Sequence, residues 1–79
     1  MMGIRIETYG SFREGREKVV IIEYSDEMTL RSITEMLNID PHSSGIVKIN
    51  DLTGPIESSL GEKIADGSCI QFLPYVAGG

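Results

Sequence analysis

The sequence has one cysteine, one histidine and no tryptophan. A lone Cys69 excludes an internal disulfide framework, and Cys69 with His42 leaves no ligand spacing that resembles a zinc or iron-sulfur site. No metal or cofactor is therefore expected on this chain, and packing alone must hold its core. Long apolar runs are also missing. Nothing approaches the roughly 20 apolar residues of a membrane span, and in "MMGIRIETYG" the charged Arg5 and Glu7 break the run that a signal peptide needs. The expectation is a soluble, cytoplasmic protein that does not meet the membrane. Positive charge is scarce as well, with 7 Lys and Arg against 12 Asp and Glu and a net charge of -5. Such a surface repels a phosphate backbone, so nucleic acid is excluded as an expected partner and a basic protein surface is favoured.

What is present is a single series of short elements. Seventy-nine residues make one domain near the lower size limit for a fold without staples. Ile4, Ile6 and Thr8 alternate with Arg5, Glu7 and Tyr9, the period of a strand with one buried face. The loop-like "GSFREGRE" follows, and then the β-branched run Val19 to Ile22 gives a second strand antiparallel to the first. That run is apolar on both faces, either because both are covered or because one is an exposed patch kept for a partner.

From Thr29 the period changes. Thr29 is a good N-cap, Leu30, Ile33, Met36 and Leu37 fall on one side of a helix of about ten residues, and Met28 with Ile33 has the spacing of a hydrophobic staple. Pro41, with Asn38 and Asp40 before it, ends the helix. "IVKIN" then reads as a third strand closed by a turn at Asn50 and Asp51. "LTGPIESSLGEKIADG" is rich in turn residues and reads as irregular, with Leu60 and Ile64 on one helical turn pinned to the core. Asp66-Gly67 leads into a last strand, "SCIQFL", with Ile70 and Phe72 on one face and Cys69, Gln71 and Leu73 on the other. The order implies an α+β domain: a mixed sheet of four or five strands with one main helix packed across one face. The last strand is expected beside and parallel to the first, leaving the C-terminal residues free at one edge.

Three short stretches then stand out together. They are "YGSFREGRE", with Ser11, Phe12, Arg13, Glu14 and Gly15; "IVKIND", ending its strand at Asn50; and "IADGSCIQFLPYVAGG", which joins a turn, a strand, Pro74, Val76 and the final Gly78-Gly79. With the order of elements and the length, they resemble the β-grasp, ubiquitin-like sulfur carriers, and most narrowly the small subunit of molybdopterin synthase. The likeness spans essentially the whole chain. Tyr75 departs from it, since such small subunits often carry a second proline there.

The resemblance implies a division into a β-grasp domain, residues 1–74, and a flexible Gly-Gly tail, residues 75–79. It also implies a chemistry in which the protein is not itself an enzyme. A carboxylate is a poor electrophile, because it is anionic and its oxygen leaves badly. Adenylation of Gly79, with ATP used by a ubiquitin-activating-type adenylyltransferase, would correct both faults, and a sulfur nucleophile would then yield a thiocarboxylate. Gly78 and Gly79 would be the reacting residues, and Phe72, Leu73, Pro74, Tyr75, Val76 and Ala77 would meet the partner, together with the apolar sheet face. Glycines suit a tail that must enter an active site, having no Cβ to hold the backbone away. Pro74 fixes φ and removes a ladder donor, so the sheet should stop there. The expected acceptor is the large subunit of molybdopterin synthase, for molybdenum cofactor biosynthesis.

Other readings remain open at this point. The tail requirements are the same for a modifier joined through Gly79 to lysines, or for a carrier serving thiazole synthesis or tRNA thiolation. A ubiquitin-like interaction domain with no tail chemistry is the reading from a different class, and two frayed glycines are the bland one. Cys69 is either a small packed residue or a sulfur relay; His42 is a solvated loop residue; the Arg13-Glu14 pair is a surface feature or a contact; and Asp66 is a turn residue rather than a catalyst.

Overall fold

The computed structural model describes residues 3–42 and 44–75. They form strands β1 (Gly3–Thr8) and β2 (Val19–Glu23), helix α1 (Leu30–Leu37), and strands β3 (Gly45–Ile49), β4 (Leu52–Pro55) and β5 (Cys69–Pro74). Two single 3-10 turns, Gly10–Arg13 and Glu57–Ser59, lie between them. The strands make one mixed sheet in the order β2-β1-β5-β3-β4. β1 and β5 run parallel, and the other neighbours run antiparallel.

The period-two pattern of β1 buries Ile4, Ile6 and Thr8 and turns Arg5 and Glu7 to the other face. Burying Thr8 would strand its hydroxyl, but Oγ1 donates to the Glu17 carbonyl at 3.1 Å. On the same face of the sheet lie Ile70 and Phe72 of β5 and Val47 of β3, packed with Leu30, Ile33, Ile56 and Ile64 into one core.

Helix α1 starts as its sequence dictates. The Ser32 N–H donates to Thr29 Oγ1 and the Thr29 N–H to Ser32 Oγ, a reciprocal box that satisfies two of the free donors at the helix start. Leu30 and Arg31 are satisfied from outside the helix, donating to the carbonyls of Glu62 and Leu60. Met28 and Ile33 are both buried, as a staple requires. The helix is eight residues long, shorter than expected, and it ends before Pro41. Asn38 takes the left-handed conformation (φ 59°), and the N–H groups of Asn38 and Ile39 return to the carbonyls of Glu35 and Thr34, the Schellman arrangement. Met36 does not belong to the buried stripe, being 54% exposed. At about 100° per residue, Leu30, Ile33, Thr34 and Leu37 share one side and Met36 falls about 100° from its centre.

The segment expected to be irregular contains β4. β4 pairs with β3 across a two-residue connection at Asn50 and Asp51, with Asn50 left-handed at φ 54°. Gly54 and Pro55 disguised it, yet an edge strand tolerates a proline on its outer side. The helical turn lies at Glu57–Ser59, ahead of the expected place. Leu60 and Ile64 are buried, but not on one helical turn: Leu60 closes the Glu57–Ser59 turn (φ -60°, ψ -29°), and Ile64 follows a Thr29–Lys63 bridge and donates its N–H to the Met28 carbonyl just ahead of α1.

Candidate functional site

The candidate site is the end of β5 and what surrounds it. The strand is fixed first at its beginning. Gly67 turns the chain (φ 85°), the Arg5 N–H donates to the Ser68 carbonyl, and Asn50 brackets Cys69. The Asn50 side-chain oxygen accepts from the Cys69 N–H at 2.9 Å, while its own N–H donates to the Cys69 carbonyl. From there β5 runs in the middle of the sheet, between β1 and β3, and not along an edge. The residues that follow it therefore leave from the end of a doubly bonded strand, the hardest kind to shift.

A clamp closes on that end. The Tyr9 N–H donates to the Phe72 carbonyl at 3.1 Å, which draws the Gly10–Arg13 turn over the strand. Phe12, the one apolar residue of a charged loop, turns inward against Phe72 with ring centroids 5.9 Å apart. Two glycines make the fit possible. A Cβ on Gly10, whose φ is 59°, would stand 2.6 Å from Pro74 Cγ, and one on Gly45 would stand 2.6 Å from Phe12 Cζ. Gly45 is the cross-strand partner of Pro74, so the loop, β3 and β5 converge on the proline. Beside it is a hollow of about 140 Å³ lined by His42, Gly45, Pro55, Glu57 and Tyr75. At its rim His42 Nδ1 lies 2.7 Å from Glu57 Oε2, with both side chains exposed.

The expected site residues separate here. Leu73 and Pro74 are half-buried and Tyr75 is 51% exposed, so these three are open to a partner. Phe72 is not; it is fully buried, a core residue under the clamp. Its place is a consequence of alternation, since Ile70 and Phe72 face the core while Cys69, Gln71 and Leu73 face away. Val76, Ala77, Gly78 and Gly79 lie outside the described residues.

The outer face of the sheet, expected to be apolar, is polar at its centre. Glu7 accepts from the Tyr9 hydroxyl (2.6 Å), Arg5 Nε (2.7 Å) and Gln71 Nε2 (2.9 Å). Those donors, Tyr9 first, hold its carboxyl down at about 2. The same hydrogen bonds raise Arg5 and Tyr9 above their ordinary values. Lys18 Nζ sits 5.2 Å from the centre of the Tyr9 ring. Apolar surface flanks this centre on two sides: exposed Val19 and Ile21 on β2, and half-buried Leu73 beside Ile46 on β5 and β3.

No protein-family model matches the chain, and neither a curated protein nor a solved structure matches it.

Cys69 is half-buried on the outer face, level with Arg5. Asp66 is an exposed residue of the turn into β5, and Arg13 and Glu14 are exposed in the loop. The residue that makes the loop's contacts is Arg16, which sequence reasoning passed over. Its guanidinium donates to the carbonyls of Phe12 (2.7 Å), Leu37 (3.0 Å) and Asn38 (2.9 Å), and so ties the clamp to the C-terminal end of α1. The signal that could have found the clamp was Phe12, an aromatic side chain in a run of charge and glycine.

Proposed function

We propose that the protein is a sulfur carrier of the ubiquitin-like, β-grasp type, acting through the carboxylate of Gly79. The supporting observation is β5, a central strand anchored at both ends and stopped by Pro74 under a clamp, from which the sequence continues as Tyr75-Val76-Ala77-Gly78-Gly79. A mixed five-stranded sheet with one helix is compatible with that fold. In this reading the globule is the handle and the last residues are the arm.

The chemistry proceeds in two displacements. The Gly79 carboxylate attacks the α-phosphorus of ATP on an adenylyltransferase, releasing pyrophosphate and forming an acyl adenylate; hydrosulfide from the sulfur donor then attacks the acyl carbon, displaces AMP, loses its proton to solvent and leaves a thiocarboxylate. Tyr75, with Leu73, Pro74 and the half-buried Ile46 beside them, supplies the docking surface for the activating enzyme and for the acceptor. The acceptor is a synthase large subunit of the kind that makes the molybdopterin dithiolene. Molybdenum enters only after that step and is not held by this chain.

Intact mass spectrometry tests the proposal after incubation with an activating enzyme, ATP and a sulfur donor. The expected result is the mass gained when one terminal oxygen becomes sulfur, absent when Gly79 is removed. A competent enzyme that leaves the mass unchanged, or that yields only lysine-linked conjugates, overturns it.

A further inference from the structure

The two edges of the sheet are protected unequally. β4 is four residues long and carries Gly54 and Pro55, the latter without a donor, which blunts it against pairing. β2 has neither. It keeps five consecutive antiparallel pairs with β1, without a bulge, glycine or proline, and among the described residues no strand bonds to its other side. The groups it leaves open can be assigned. The Thr8 N–H donates to the Lys18 carbonyl at 2.9 Å, and antiparallel pairs alternate, so Val20 and Ile22 bond to β1 while Val19, Ile21 and Glu23 point their N–H and C=O groups outward. Val19 and Ile21 are also exposed by their side chains, at 36% and 63%.

We propose that β2 pairs with β2 of a second copy, antiparallel about Ile21, to give a continuous ten-stranded sheet with two-fold symmetry. The charge along the strand argues for this occupant. Exposed Lys18 stands at one end, and exposed Glu23, Asp26 and Glu27 stand at the other. An antiparallel copy brings Lys18 of each strand, which stands beside exposed Glu17, to the acidic end of its mate, so Lys18 and Glu23 are complementary across the two-fold, as an isologous contact requires. Register follows from the backbone. Outward-facing residues must meet outward-facing residues, so registers step by two. Centring on Ile21 stacks Ile21 on its copy, sets Val19 opposite Glu23 and brings Lys18 within reach of the second copy's Glu23. A slip of two residues sets Glu17 against Glu23, both acidic, and shortens the ladder. The symmetry sets the two β5 strands about 24 Å apart at about 4.8 Å per strand and points their Pro74 ends in opposite directions. Pairing therefore leaves both arms clear, and it stands whether or not the tail carries sulfur.

Analytical ultracentrifugation of the full chain up to about 1 mM tests the pairing. The expected result is a concentration-dependent dimer, abolished in Ile21→Lys while circular dichroism and thermal unfolding stay unchanged. Lys18→Glu and Glu23→Lys should each weaken the dimer about tenfold, since each brings like charges within reach of one another twice. Mixing the two variants should restore it, because the mixed pair is complementary at both ends. A monomer at every concentration, a dimer indifferent to Ile21→Lys, or variants that do not recover on mixing overturns the proposal.

Discussion

Glu7 accepts three side-chain hydrogen bonds on the outer face of the sheet, from Arg5 and Tyr9 two residues away on either side and from Gln71 on β5. Strand periodicity shows that residues 5, 7 and 9 share a face, so part of this cluster was legible. Gln71 was not, because it meets Glu7 only through the parallel register of β1 with β5. The cluster has a consequence for acid stability. The folded carboxyl titrates at about 2 against an ordinary value of 4.5, so the unfolded chain binds the proton first. Its stabilising contribution is complete above about pH 4.5 and is lost as the pH falls toward about 2. Urea unfolding measured between those limits should show stability declining with acid, and Glu7→Gln should flatten that decline. An unchanged pH profile in Glu7→Gln would remove this account of the cluster.

At the scale of elements, what was legible followed local rules. The cap at Thr29, the staple of Met28 and Ile33, and the alternation in β1, β3 and β5 each depend on neighbours a few residues apart. β4 was lost because Gly54 and Pro55 signal a turn locally, and only the pairing partner shows that they occupy an edge. Met36 was misplaced because spacing marks a stripe without saying how wide the covering surface is. Arg16 is a long-range case. Its planar fork reaches the carbonyls of Leu37 and Asn38, 21 and 22 residues away, which nothing near it in the chain announces. Arg16→Ala should cost about 1–2 kcal/mol in denaturant unfolding, since three carbonyl acceptors lose a charged donor at a partly exposed site. Arg16→Lys should recover little of this, because an ammonium cannot bridge separated acceptors as a guanidinium does. Full recovery by lysine would mean that charge near the helix end, and not the fork, is what matters.

For the whole molecule, the mixed sheet and its single helix followed from the order of elements, while the central position of β5 did not. Periodicity tells a strand's faces, but not its neighbours. Under the proposed function, that position divides the labour of the chain. The buried cluster among the described residues runs from Ile4 to Phe72, and the clamp on Pro74 closes it. Folding and tail chemistry should then be separable by mutation. Deleting residues 76–79 should leave thermal unfolding where it was while ending thiocarboxylate formation. Gly10→Ala should do the reverse. Its left-handed backbone would cost about 1–2 kcal/mol with a side chain, and the new methyl would press on Pro74, so the domain should unfold earlier with Gly79 still present. Thiocarboxylation of Gly10→Ala below its melting transition should continue, because Gly79 and the residues that lead to it are unchanged. If the deletion instead lowers the melting temperature as much as Gly10→Ala does, the last residues belong to the fold and the separation of handle from arm fails.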